Sequence, residues 1–265
     1  MFDYHIHSDF SADCETPMEK TIEQAMKIGV EELCFTEHID YEYPDESIVF
    51  EFNLDRYDKK IKEMQEAYGE QVRIKKGIEI GVQPHLLSRY ESLMQKEVFD
   101  FVICSMHTTE KKDLHSGNFY KNYTIDEAFQ LYYEELLYCV KNYKDFDVLG
   151  HVDLVKRYTK EKSSKDFHDI LTEIFKEIIP QGKGIEWNTS GVRHGMKSAM
   201  PSIDIVKLYK ECGGEIITIG SDSHVDSTLA YHYKDTLESL QSIGFDYVTT
   251  FSDRKPEFHL IQNLK

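Results

Sequence analysis

Six of the twelve histidines in this 265-residue chain fall in short clusters with acidic residues. In chain order these are His5-x-His7, Thr36-Glu37-His38, Glu79, Ser105-x-His107, Gly150-His151-x-Asp153 and Asp222-x-His224. Two positions apart on a strand, His5 and His7 face the same side and can hold one cation; Asp222 and His224 repeat that spacing. A lone histidine is usually a surface or core residue, but a series of clusters is a poor fit to chance. Imidazole with carboxylate and no thiolate suits zinc, manganese or iron. So many donors exceed the three or four that one catalytic ion takes, so two or three divalent ions are expected. Such a group activates water and neutralises charge on a phosphoryl group, which points to metal-assisted hydrolysis.

The elements that must position these residues show as an alternation. Runs Phe2 to His5, Leu33 to Thr36, Ile74 to Ile80, Phe99 to Cys104, Val148 to Leu149, Ile185 to Asn188 and Ile216 to Ile219 read as strands. Helical patterns separate them: Met18 to Ile28, Leu54 to Tyr68, Pro84 to Gln95, Ile125 to Val140, Lys165 to Ile179 and Ile203 to Cys212. Alternation implies parallel strands with right-handed crossovers. Nearly every strand ends in a polar cluster, Asn188-Thr189-Ser190 included, and a barrel brings all its strand ends to one mouth whereas an open sheet gathers ligands from a few. An α/β barrel is therefore predicted, with the metal site at the C-terminal strand ends and residues 1–265 as one domain. Tyr247 to Phe251 reads as a last strand outside the catalytic ring.

Composition narrows the partners. Forty-eight acidic against thirty-one basic residues give a net charge of −17, which repels nucleic acid and anionic membranes. A small phosphorylated substrate remains compatible, because local cations outweigh distant charge. Five scattered cysteines without a C-x-x-C pair, and no leader or long apolar run, predict reduced thiols and a cytoplasmic protein with no obligate protein partner.

With these motifs in order, the chain resembles the polymerase and histidinol phosphatase (PHP) family. That resemblance implies a distorted (β/α)7 TIM-like barrel holding a trinuclear metal centre. The segments Asp3-Tyr4-His5-Ile6-His7-Ser8-Asp9-Phe10-Ser11, Phe35-Thr36-Glu37-His38, Gly150-His151-Val152-Asp153-Leu154-Val155-Lys156-Arg157-Tyr158 and Asn188-Thr189-Ser190-Gly191-Val192-Arg193 are similar to the family's stand-alone L-histidinol-phosphate phosphatases. By resemblance, His5, His7, Glu79 and Asp222 hold one ion, and Glu79 bridges to a second completed by His107 and His151. Asp13, His38 and His224 hold the third. Asp13 stands where several related proteins carry histidine, and a carboxylate is a competent hard ligand there. A bridging hydroxide oriented by Asp222 then attacks phosphorus.

Arg157 and Arg193, two of only six arginines, lie close to strand-terminal clusters. They read either as surface ion pairs or as guanidinium forks that grip the phosphate, and the resemblance favours the fork. Cys34 shares strand parity with Thr36 and His38 and should fill the barrel interior; Glu37 points the other way, as an interlayer partner. His85, His115, His168, His232 and His259 read as solvated or structural, and His194 stays open. Phe119 to Tyr123 either lines the substrate or anchors its loop. Rival functions are a PHP phosphoesterase with another substrate and a non-catalytic accessory module.

Overall fold

A computed structural model of the chain describes residues 1–264. The strands are β1 (Phe2–Ile6), β2 (Glu32–Ile39), β3 (Arg73–Gly81), β4 (Phe101–Ser105), β5 (Thr108–Thr109), β6 (Lys112–Asp113), β7 (Val148–Leu149), β8 (Gly184–Asn188), β9 (Ile217–Gly220), β10 (Tyr247–Ser252) and β11 (Lys255–Leu260). The helices are α1 (Met18–Ile28), α2 (Leu54–Tyr68), α3 (Leu87–Met94), α4 (Ile125–Asn142), α5 (His168–Ile178), α6 (Ser190–Arg193), α7 (Ile203–Glu211) and α8 (Tyr233–Ile243). Local chemistry sets several limits. Asn53 caps α2 by accepting from Arg56 N, Thr124 and Glu127 form a reciprocal capping box on α4, and Gly29 ends α1 at φ 78°. The helix expected from Pro84 begins only at Leu87, because Pro84 to Leu86 form a turn.

Seven strands form one parallel sheet in the order β1-β2-β3-β4-β7-β8-β9, which is chain order. The sheet curls until its ends meet: Ile6 bridges Ser223, Asp222 N donates to His5 O at 2.7 Å, and His7 N donates to Ser223 O at 2.9 Å. This is the expected α/β barrel, nearly closed with seven strands. Inside, Gly220 is required, since a Cβ there would lie 2.3 Å from both Glu186 Oε1 and His5 Cβ. The register of β1 slips against β2, pairing Asp3 with Leu33 and Ile6 with Phe35, so Tyr4 and His5 together oppose Cys34. A bulge of this kind re-aims side chains, as is common beside functional sites.

The expected eighth strand lies outside the ring. β10 pairs antiparallel with β11, which the sequence reading did not contain, and the hairpin lies across the N-terminal end of the barrel. Phe251 packs on Phe101 with ring centroids 4.9 Å apart, and its N–H donates to the Tyr4 hydroxyl at 3.0 Å. A second small hairpin, β5–β6, forms between β4 and α4. No helix among the described residues is long and apolar enough to cross a membrane.

Candidate metal centre

The strand ends deliver the histidine and acidic side chains to one pole of the barrel. Glu79, at the C-terminal part of β3, is wholly buried and sits between two groups of imidazoles. Its Oε2 lies 3.0 Å from His5 Nε2, 3.6 Å from His7 Nε2 and 3.0 Å from His38 Nδ1. Its Oε1 lies 3.0 Å from His151 Nε2 and 3.3 Å from His107 Nε2, and accepts from Ser105 Oγ at 2.6 Å. Asp222 divides similarly. Its Oδ1 faces His7 Nε2 at 3.4 Å and His5 Nε2 at 3.8 Å, while Oδ2 accepts from Ser190 Oγ at 3.1 Å and Asn188 Nδ2 at 3.4 Å. Asp13 Oδ2 stands 3.2 Å from His224 Nε2 and 3.8 Å from His38 Nε2. The rings of His38 and His224 each stack against His7 at 4.2 Å and lie 5.9 Å from one another.

Three donor groups are close enough to hold a cation: His5 with His7 and Asp222, His38 with Glu79 and His107, and His7 with His38 and His224. A further observation supports metal. His5 Nε2, His7 Nε2, His38 Nδ1, His224 Nε2 and Glu79 Oε2 are buried atoms that make no hydrogen bond, although neighbours stand close. Buried polar atoms without partners are rare, and here they converge. Four donors around an ion at about 2.1 Å stand about 3.4 Å apart, and the separations here run from 3.0 to 3.8 Å around that spacing. Electrostatics agrees. Burial would raise the Glu79 and Asp222 carboxyls, yet the surrounding histidines hold both well below the usual carboxylate range. Burial would lower His5, but Glu186, Glu79 and Asp222 raise it well above an ordinary histidine. The cluster therefore favours ionised carboxylates compensated by positive charge, which divalent ions supply.

Around the donors stand residues that hold them. Glu186 Oε1 meets His5 Nδ1 at 2.6 Å and Glu186 Oε2 accepts from His151 N at 3.0 Å; Asp40 Oδ2 meets His107 Nδ1 at 2.5 Å. A carboxylate on the far ring nitrogen fixes the tautomer and raises ligand basicity. Sequence reading missed both. Glu186 is isolated within an apolar strand, and the signal available was its strand parity with Asn188. Asp40 lies two residues beyond His38 on the same side of the chain, a spacing that could have drawn attention to it. Glu37 points away from the centre, accepting from Ser8 N at 3.0 Å and Ser11 Oγ at 2.5 Å, and Ser11 Oγ in turn meets His7 Nδ1 at 3.2 Å. The backbone at His151 and Asp222 is left-handed, with φ 20° and 53°, an uncommon conformation that clusters at functional sites.

The centre opens into a cavity of about 230 Å³. Beside the donors, its wall is built by Tyr43, Ile48, Phe50, Leu154, Arg157 and Tyr158. Arg157 Nη1 lies 3.6 Å from Asp222 Oδ2, so its guanidinium borders the donor cluster. Arg193 is off that wall: Nη1 donates to Ser221 O at 2.6 Å and Nη2 to Asp222 O at 2.8 Å. His115, expected to be solvated or structural, lines the cavity, its ring centroid 5.4 Å from that of Tyr158. Its loop returns to the mouth through the β5–β6 hairpin, which the sequence did not reveal. Phe119 is buried and Tyr120 donates to Val155 O at 2.7 Å, so the 119–122 turn anchors its loop. Cys34 lies in the core as expected.

A nearly closed barrel with histidine and carboxylate donors at the C-terminal strand ends defines a metal-binding α/β-barrel protein. The PHP domain model matches residues 3–190, and the chain belongs to the PHP family. It is 34% identical over 260 residues to a histidinol-phosphatase of Lactococcus lactis subsp. lactis, covering 96% of this chain and 95% of that protein. A probable histidinol-phosphatase of Clostridium acetobutylicum is 29% identical, over 91% of this chain and 93% of its own. A crystal structure of the Lactococcus lactis histidinol phosphate phosphatase, complexed with zinc, L-histidinol and phosphate, superposes with a TM-score of 0.87 at 32% identity. That match covers 97% of this chain and 98% of the other.

Proposed function

We propose that the protein hydrolyses L-histidinol phosphate to L-histidinol and phosphate, as a metal-dependent phosphomonoesterase of histidine biosynthesis. What carries the reading is the likeness, along nearly the whole chain, to a phosphatase structure holding zinc, L-histidinol and phosphate. The donor set at the mouth supports it independently, because imidazoles and carboxylates suit zinc, manganese or iron. Residues 1–265 act as one barrel domain. Free cysteines support a reducing, cytoplasmic setting.

His5, His7, Glu79 and Asp222 are assigned to one ion, Glu79, His107 and His151 to a second, and Asp13, His38 and His224 to a third. When bound, two or three such ions supply an activated water and neutralise charge on the phosphoryl group. The chain's own residues do the rest. Arg157 borders the cluster and offers a planar fork to the phosphate oxygens. Arg193, off the cavity wall, would join the grip only through the N–H groups that its two carbonyl bonds leave free. Asp222 keeps Oδ1 toward the donors while Ser190 and Asn188 hold Oδ2, a pose suited to orienting the nucleophile for in-line attack. Tyr43, Phe50 and Leu154 wall the cavity and exclude bulk water from the reacting phosphate.

The test is steady-state phosphate release by manganese- or zinc-loaded protein on a panel of L-histidinol phosphate, aryl phosphates, a phosphotyrosyl peptide and a phosphodiester. A kcat/KM for L-histidinol phosphate of about 10⁴ M⁻¹s⁻¹ or more, well above the others, is expected. Equal slow rates on every ester would overturn the substrate and leave the metal centre.

A further inference from the structure

His194 directly follows Arg193 in the chain. In the structure its Nε2 lies 2.5 Å from Arg157 Nη2, at the edge of the donor cluster. Arginine only donates, so Nε2 must present its lone pair and the ring must be neutral, with its proton on Nδ1. Partial burial together with the charges of Arg157 and Arg193 holds the His194 pKa down to about 4, which keeps the ring neutral at neutral pH. The side chain is exposed, and its backbone is held in a tight turn. His194 N donates to Ser190 O at 3.1 Å and Gly191 O at 3.2 Å, and Gly195, at φ 78°, closes the turn by donating to Val192 O at 3.1 Å.

Arg157 otherwise has loose anchors. Its Nη1 reaches Ser190 Oγ at 3.4 Å and Asp222 Oδ2 at 3.6 Å, and its Nε is buried with no hydrogen bond. Held only by these contacts and by the Tyr158 ring, whose centroid lies 5.3 Å from its Cζ, the guanidinium would be free to swing onto the Asp222 carboxylate instead of facing the cavity. We propose that His194 is a positioning residue that holds the Arg157 fork at one Nη so that its remaining N–H groups meet the substrate phosphate. The inference rests on the proposed role of Arg157. It assigns His194 no contact with the reacting atoms.

The experiment compares metal-loaded wild type with His194→Ala, His194→Gln, Arg157→Ala and the Arg157→Ala/His194→Ala double variant. Two quantities are read: competitive inhibition by inorganic phosphate of aryl phosphate hydrolysis, and kcat and KM for L-histidinol phosphate. His194→Ala should weaken phosphate and raise KM by about 5-fold, the net worth of one hydrogen bond, with kcat within about 2-fold. His194→Gln, whose carbonyl oxygen also accepts, should restore both. The double variant should bind phosphate no more weakly than Arg157→Ala, because the two act as one unit. In Arg157→Ala the His194 ring should titrate at higher pH by proton NMR. Unchanged phosphate binding in His194→Ala, or additive losses in the double variant, would overturn the inference. So would a fall in kcat confined to alkyl phosphates, which would make His194 a proton donor. Normal phosphate binding by Arg157→Ala would instead sink the underlying clamp.

Discussion

The two poles of the barrel both bury ionisable groups, and they treat them in opposite ways. At the N-terminal pole each buried charge has a protein partner. Glu32 Oε2 accepts from Arg73 Nε at 2.6 Å, and Asp147 Oδ2 accepts from Arg254 Nε at 2.6 Å and Val102 N at 2.8 Å, while the half-buried Lys75 donates from Nζ to Ser252 Oγ at 2.8 Å. The β10–β11 hairpin supplies Ser252 and the link to Arg254, so the plug is electrostatic as well as apolar. At the C-terminal pole five buried donor atoms converge without a hydrogen bond among them. An unpaired buried polar group costs about 1–3 kcal/mol, more when charged, so such a concentration persists where ligands complete it. One pole is finished by folding and the other by binding.

The largest break in this contrast should come from Glu79, which faces both imidazole groups. Glu79→Ala removes the carboxylate between the donor sets, and kcat/KM should fall by about 10³-fold or more with metal content reduced, since several kcal/mol of charge stabilisation is lost. Metal analysis of the purified variant beside phosphate release checks it; full metal with full turnover would end the bridging assignment. Glu186→Gln is the next step down. It keeps the shape but removes the charge that holds His5 at Nδ1, so a 10–100-fold loss in metal affinity or activity is expected. Titrating metal back into the stripped variant separates the two: excess metal should recover most of the turnover. A variant that binds metal and turns over as wild type does would show that His5 needs no anionic partner.

The same contrast explains what could be read from the chain alone. Metal donors must stand at strand ends and come in types that bind cations, so His5-x-His7, His38, Glu79, His107, His151 and Asp222-x-His224 were visible by type and spacing. The barrel followed from how many strands carried them. Partners that act through another side chain leave no such trace. Glu186 and Asp40 become meaningful only once β8 and β2 place them against His5 and His107. The bulge that turns Tyr4 and His5 together into the barrel is a register event, and a one-dimensional pattern does not record it. β11 was missed for a related reason: as a largely exposed strand with Lys255, Pro256 and Glu257, it lacks the apolar signature of a buried one. Arg193 shows the converse limit, since its place near a cluster was legible but its bonds to the Ser221 and Asp222 carbonyls were not.

The smallest expected effect on catalysis, and the sharpest test of the other pole, comes from Arg254→Ala. Asp147 is 4% exposed and keeps its bond to Val102 N in the variant, but loses its guanidinium partner. Stability should drop by about 2 kcal/mol, below the 3–5 kcal/mol of a fully buried pair because Arg254 is partly exposed. Burial raises the Asp147 pKa, and Arg254 opposes that rise. Without the arginine the folded-state pKa climbs further above its unfolded value, so the folded protein binds more protons and stability falls as pH rises through that window. The difference from wild type in urea unfolding should therefore be greatest near neutral pH and shrink in acid, where Asp147 is protonated in both proteins. Meanwhile kcat/KM at 25 °C should stay within about 2-fold, because paired charges at the closed pole do not touch the open one. A large loss of turnover in the folded variant would mean that the hairpin and the metal pole are coupled through the barrel.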